Sequence, residues 1–318
     1  MGKTALLFPG QGSQQVGMGK DFFDQVPISK EIFQKANERL DFDLTSIIFN
    51  GPQEELTLTY NAQPALLTTS AAIFEALKQY EVVFDYVAGH SLGEYTALVA
   101  ANVMTVEDAV YVVRKRGELM EKAVPAGEGS MAAVLGMVQE ELENITKQIS
   151  NEGTLVQLAN LNCPGQIVIS GTKEGVQRAG ELAKEKGAKR VIPLEVSGPF
   201  HSELMKPAAS ELSKVLDEVT IQDASVPVIA NVTAAPVQNK DEIKSLLIEQ
   251  LYSPVRWEES VRSMIQAGVT TFIEIGAGKV LTGLVKKVDR SVKTFNIFDL
   301  SSLEAVVHDI KSCGNMSR

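Results

Sequence analysis

The chain predicts an α/β fold, a doubly wound and mainly parallel sheet interrupted by a smaller α+β unit, and three observations carry that prediction. Apolar runs of strand length alternate with amphipathic helical stretches along most of the sequence. Between 127 and 196 the order becomes β-α-β-β-α-β within about seventy residues, the split arrangement of a ferredoxin-like unit. The stretch Val87-Ala88-Gly89-His90-Ser91-Leu92-Gly93-Glu94-Tyr95 leads from an apolar run, through a serine with glycine two residues to either side, into helix-forming Glu94–Ala101. The expected division is therefore a large unit of 1–126 and 197–318 and a small one of 127–196.

Composition narrows the function. In 318 residues, 44% apolar, there is enough material for a full core. Thirty Lys and Arg against forty Asp and Glu leave a net charge of −10, which argues against nucleic acid as the main partner. Two cysteines, Cys163 and Cys313, make neither a disulfide framework nor a zinc spacing, so a cytoplasmic location is expected. The apolar start ending at Phe8 is too short for a signal peptide, and no run approaches the roughly 20 residues that span a bilayer.

In chain order, Thr4–Phe8 is a buried strand ending at Pro9-Gly10-Gln11-Gly12-Ser13-Gln14. Gln15 stands where a dinucleotide-binding loop needs its third glycine, so that reading fails. The loop is either a plain turn or a donor site, with Gln11 offering a second oxyanion amide. Ser29 is expected to cap a helix bearing Ile32, Phe33, Ala36 and Leu40, and Pro64 to open another through Leu67, Ala71, Phe74 and Leu77. Gln63 before that proline is either a solvated cap or part of a pocket wall. The serine turn is either an ordinary strand-to-helix loop or a nucleophile turn, in which strained backbone would expose the hydroxyl of Ser91 and the N–H of Leu92 would face whatever it attacks. Gly89 and Gly93 let strand and helix close up without a Cβ between them.

Thr105 caps the next helix, whose seam of Ala109, Val112, Val113, Leu119 and Met120 is completed by Arg116. A buried guanidinium cannot shed its charge, so it meets either an internal carboxylate or a substrate anion, to which its planar fork is suited. In the small unit the strands are Met131–Leu135, Leu155–Leu161, Ile167–Ser170 and Val191–Leu194, with helices Glu140–Ile149 and Glu174–Lys186. Asn160 and Asn162 either face the cleft or form a turn. Of three histidines, His90 points away from its neighbour Ser91 and His308 lies in a polar C-terminal segment. His201, in the loop Ser197-Gly198-Pro199-Phe200-His201, is the remaining base for Ser91. A helix follows with Leu204, Ala208, Leu212 and Val215 inward, then a strand-like Pro227–Asn231, helices Ile243–Leu251 and Val255–Ala267, and a parallel strand Thr271–Ile275. Gly276-Ala277-Gly278 turns into a helix Val280–Lys287, a last strand spans Lys293–Ile297, and the tail from Lys311 is expected to be loose.

Pro9–Gln14, Gly89–Glu94, Arg116, Gly198–His201 and Gln250-Leu251-Tyr252-Ser253-Pro254 together resemble the malonyl-CoA:acyl carrier protein transacylases of bacterial fatty-acid synthesis, over nearly the whole chain. The resemblance implies an α/β-hydrolase-like core with the ferredoxin-like insertion. It makes Ser91 the nucleophile, His201 the general base and acid, the amides of Gln11 and Leu92 the oxyanion hole, and Arg116 the holder of a malonyl carboxylate. A main-chain carbonyl near Gln250 would orient the imidazole in place of a triad acid, and Gln250→Glu would then test whether an acid promotes hydrolysis. Phe200 resembles the malonyl-selective pattern, excluding an α-methyl group. The implied partners are malonyl-CoA and acyl carrier protein, with no cofactor, metal, nucleic acid or membrane, acting as a monomer. Because the carrier is acidic, Lys279, Lys286 and Lys287, or Lys184, Lys186, Lys189 and Arg190, are expected to line its docking face or else a solvated surface. A serine thioesterase or hydrolase, an acyltransferase for another acyl-CoA in polyketide synthesis, and a binding module without catalysis are the competing readings.

Overall fold

A computed structural model describes residues 2–312. Among them the strands are β1 (Lys3–Phe8), β2 (Tyr86–Gly89), β3 (Gly129–Leu135), β4 (Val156–Cys163), β5 (Gln166–Thr172), β6 (Arg190–Pro193), β7 (Val228–Ile229), β8 (Pro236–Val237), β9 (Val269–Ile275) and β10 (Lys293–Ile297). They form two sheets, in the orders β10-β9-β1-β2-β7-β8 and β4-β5-β3-β6. The first is parallel from β10 to β7, with only β8 antiparallel at the edge. Alternation along β1 explains the layering. Leu6 and Phe8 join one apolar core, Ala5 and Leu7 a second on the opposite face, so helices must cover both. The second sheet is antiparallel throughout and carries its own core of Val134, Leu142, Ile145, Ile149 and Ile169 beneath two helices, in the ferredoxin-like order.

The small unit is tied to the large one at β4, where Val255, in the loop before the helix Trp257–Gln266 and outside either sheet, donates to the Ala159 carbonyl at 2.8 Å and accepts from Leu161 at 2.9 Å. That junction sets Asn160 and Asn162 against the end of the parallel sheet. No described helix is long and apolar enough to cross a membrane.

Four expectations need correction. Pro64 does not open its helix, which runs Thr59–Lys78. The Tyr60 carbonyl that Pro64 cannot serve instead accepts from Arg114 Nη1 at 3.0 Å, so the helix tolerates the missing N–H. Ser29 is no cap, because its helix spans Pro27–Leu40 after Val26 and its buried hydroxyl donates to the Ala72 carbonyl at 2.7 Å. After His201 a short 3₁₀ turn, Glu203–Met205, precedes the helix Lys206–Asp217. The turn rotates the inward face to Met205, Ala208, Ala209, Leu212 and Leu216, leaving Leu204 and Val215 half-buried. Finally, the segment around His308 is helical over Leu300–Ser312, burying Leu303, Val306, Val307 and Ile310 at helical spacing. Lys311 and Ser312 belong to that helix, and the rest of the tail expected to be loose lies outside the described residues.

Candidate active site

Ser91 sits at the C-terminal edge of β2, with φ 52° and ψ −107°, as the cap of the helix Leu92–Ala100. The strand and helix are so close that a Cβ on Gly89 would lie 1.9 Å from the Gly93 carbonyl carbon, and one on Gly93 2.1 Å from the Phe8 oxygen. Leu92 is the first helical residue, so its N–H has no carbonyl a turn earlier to bond. It stays available at the mouth of the turn.

His201 reaches Ser91 from the loop after β6. Its Nε2 lies 2.8 Å from Ser91 Oγ and its Nδ1 2.9 Å from the Gln250 main-chain oxygen. A carbonyl only accepts, so the proton belongs on Nδ1, and the lone pair of Nε2 faces the serine hydroxyl. Gln250 can spare that carbonyl because it ends the helix Lys240–Gln250, where the last carbonyls lack partners within the helix. Burial, and then the positive charge of Arg116, hold the imidazole down to about 3.

Arg116 is 1% exposed. Its Nη1 donates to Gln63 Oε1 at 2.8 Å, and its Nη2 to Gln250 Oε1 at 2.9 Å and to Ser91 Oγ at 3.0 Å. Among the described residues no carboxylate lies within ion-pair distance of it. The internal-acid alternative is thus met only at one remove. Glu94, buried and pushed up to about 7 by that burial, accepts at 2.9 Å from Gln250 Nε2, whose amide stands between acid and cation.

Ser91, His201, His90, Gln11, Asn160 and Phe200 line one cavity of about 310 Å³, walled on its other side by Met131 and Leu194–Val196 from the small unit. Gln63 and Asn162 are not on that wall. Gln63 is fully buried and turned to Arg116, and Asn162 Oδ1 lies 2.8 Å from His90 Nε2, holding that ring away from the serine. The Gln11 side chain donates to Thr59 Oγ1 at 3.1 Å. A larger cleft, about 550 Å³ beside Lys147 and Arg256, holds no group of this cluster.

Two buried residues of the site escaped the sequence reading, Glu94 in the first turn of the helix after Ser91 and Asn231 at the end of the apolar run from Pro227. The lysines expected at a docking face differ in their surroundings. Lys286 Nζ donates to the main-chain oxygens of Val292 and Arg290, so it is engaged in holding the end of the helix Val280–Val288. Lys279 lies over the Phe298 ring and Lys287 is 3.5 Å from Gln166 Oε1, both with exposed side chains.

Residues 5–315 match the family model described as an acyl transferase domain. The malonyl CoA-acyl carrier protein transacylase of Bacillus subtilis (strain 168) is 63% identical over 311 residues, 98% of each chain. An acyl carrier protein S-malonyltransferase from Vibrio cholerae O1 biovar eltor superposes with a TM-score of 0.93 at 46% identity, over 96% of this chain and 99% of that one. A malonyl-transacylase solved in complex with its type II PKS acyl-carrier protein gives 0.94 at 41% identity, over 96% and 99%.

Proposed function

The chain belongs to the acyl transferase family and, within it, to the malonyl-CoA:acyl carrier protein transacylases, and from that premise we propose how its residues divide the work. The reaction moves a malonyl group from malonyl-CoA to the phosphopantetheine thiol of an acyl carrier protein. In our reading His201 Nε2 takes the Ser91 proton as Oγ attacks the thioester carbonyl, and the N–H groups of Leu92 and Gln11 hold the oxyanion. The tetrahedral centre collapses with loss of coenzyme A, whose sulfur receives the proton from His201. The carrier thiol then attacks the malonyl ester of Ser91, giving up its proton to His201 and so to the departing serine. Neither step changes an oxidation state, and we assign no metal or redox cofactor. We read the enzyme as a cytoplasmic monomer in which the small unit, 127–196 on our division, supplies one wall of the cleft.

The observation that carries the substrate assignment is Arg116, a fully buried cation that touches the Ser91 hydroxyl and has only neutral acceptors around it. A malonyl group esterified to Ser91 places its free carboxylate within reach of that fork, where an anion exchanges weak partners for a charge-assisted pair. Asn160 and Phe200 bound the space left for the acyl chain.

The contact of His201 with a neutral carbonyl favours transfer over hydrolysis, since a carboxylate would stabilise the imidazolium more and activate water more readily. The Gln250→Glu test must be withdrawn, however. The imidazole is held by the main chain of Gln250, whereas its side chain points to Arg116 and Glu94, so a new acid there would pair with the guanidinium and would not replace the carbonyl that bonds His201 Nδ1.

Intact-mass measurement after mixing with malonyl-CoA tests the proposal. A malonyl adduct on Ser91 that discharges onto added carrier thiol, and is absent in Ser91→Ala, is expected. An adduct elsewhere, or one lost to water as fast as to thiol, would overturn it.

A further inference from the structure

We propose that Asn231 is a positioning residue for the nucleophile, its carboxamide clamping the turn that presents Ser91; this rests on the reading of Ser91 as the attacking group. A non-glycine residue at the φ and ψ of Ser91 is strained and keeps that conformation only where its surroundings impose it. Asn231 Oδ1 accepts the Ser91 N–H at 2.8 Å, and Asn231 Nδ2 donates to the Gly89 carbonyl at 2.7 Å. One planar amide therefore grips the main chain on both sides of His90, which needs a donor and an acceptor side by side. The pairing of β2 with β7, Val87 opposite Val228 and Ala88 opposite Ile229, carries Asn231 to that place two residues further on.

The clamp is itself held. Gln250 Nε2 lies 3.1 Å from Asn231 Oδ1, 2.9 Å from Glu94 Oε2 and 3.0 Å from the Ser91 carbonyl, while the Asn231 N–H donates to Glu94 Oε2 at 3.1 Å. Donors at Oδ1 and an acceptor at Nδ2 settle which way the carboxamide faces. Asn231 is fully buried and absent from the cavity wall, so it acts through Ser91 and not on the acyl group. Releasing it lets the turn relax, moving Oγ away from His201 and the Leu92 N–H away from the oxyanion.

Rapid-quench acylation of the full chain by malonyl-CoA separates positioning from stability, because the burst amplitude counts folded sites and the rate constant reports their alignment. Asn231→Ala should lower the rate constant about 10- to 100-fold with little change in the malonyl-CoA concentration needed for half-saturation. Asn231→Asp adds a pH signature. Protonated, the new carboxyl offers a donor and an acceptor in the same plane as the carboxamide; ionised, it confronts the Gly89 oxygen with acceptors only. Buried beside Glu94, it titrates above the ordinary carboxylate range despite Arg116 nearby, and His201 stays neutral throughout. The ratio of variant to parent rate constant should therefore rise as pH falls. Parental rate constants with reduced amplitude, or a ratio flat in pH, would reduce Asn231 to a scaffold residue. In the parent, a Ser91 amide that exchanges its hydrogen at open-chain rates would also overturn the clamp. An adduct that persists in Ser91→Ala would instead overturn the nucleophile assignment.

Discussion

Replacing Arg116 by alanine separates a guanidinium that selects the substrate from one that only supports the fold. In the parent its terminal nitrogens hold Gln63 at 2.8 Å, Gln250 at 2.9 Å and Ser91 Oγ at 3.0 Å. A malonyl carboxylate replaces neutral acceptors by an anion in a site from which water is largely excluded. Losing one partner of a buried, hydrogen-bonded charge pair costs about 2 to 5 kcal/mol. At about 1.4 kcal/mol per decade, that lowers malonylation of Ser91 roughly 30- to 4,000-fold. An acetyl group has no carboxylate, and in the parent it leaves the cation facing only neutral groups, so its transfer should hold or rise. The substitution also strands the Gln63 and Gln250 side-chain oxygens and leaves Glu94 without its nearest cation, which costs stability. Measuring malonyl and acetyl adducts on one preparation cancels that loss in the ratio. Equal falls for both acyl groups would refute the clamp.

Other expectations follow from the same contacts. Phe200→Ser opens the wall of the cavity and should admit an α-methyl malonyl group in competition assays, whereas unchanged selectivity removes Phe200 from the specificity wall. Arg114→Ala strands the Tyr60 carbonyl beside Pro64 and should destabilise by about 1–3 kcal/mol in urea unfolding; no change would mean that water serves that oxygen equally well. The pH dependence has two opposed signs. His201, lowered from 6.5 to about 3, contributes stability above pH 6.5 that is lost as pH falls towards 3. Glu94, raised from 4.5 to about 7, contributes stability below pH 4.5 that is lost as pH rises through 7. Between pH 4.5 and 6.5 the two slopes oppose, so Glu94→Gln should leave the unfolding free energy rising more steeply with pH than in the parent, and parallel curves would show that Glu94 does not titrate there.

The serine turn was legible because steric rules operate within a few residues: the glycine spacing around Ser91 is the direct imprint of a strand and helix in near contact. Arg116 stood out for a similarly local reason, a cation completing an apolar seam. The start of the helix at Thr59 was hidden because the group that satisfies its broken bond, Arg114, lies 54 residues along the chain from Tyr60. The closing helix Leu300–Ser312 was overlooked although its apolar spacing is present, since frequent polar residues mask a narrow buried stripe.

The sequence by itself therefore determined the alternation of elements, the inserted unit, the strained serine and the isolated cation, each written in patterns of period two, period 3.6 or fixed glycine spacing. Tertiary structure alone decided which atoms of Gln250 do what, that Gln63 and Asn162 support other side chains from behind the cavity wall, and that Glu94 and Asn231 belong to the site. The physical reason is that buried polar groups must find partners wherever the packed chain offers them. A pairing such as Ser91 with Asn231, 140 residues apart, leaves no periodic trace in the residues between.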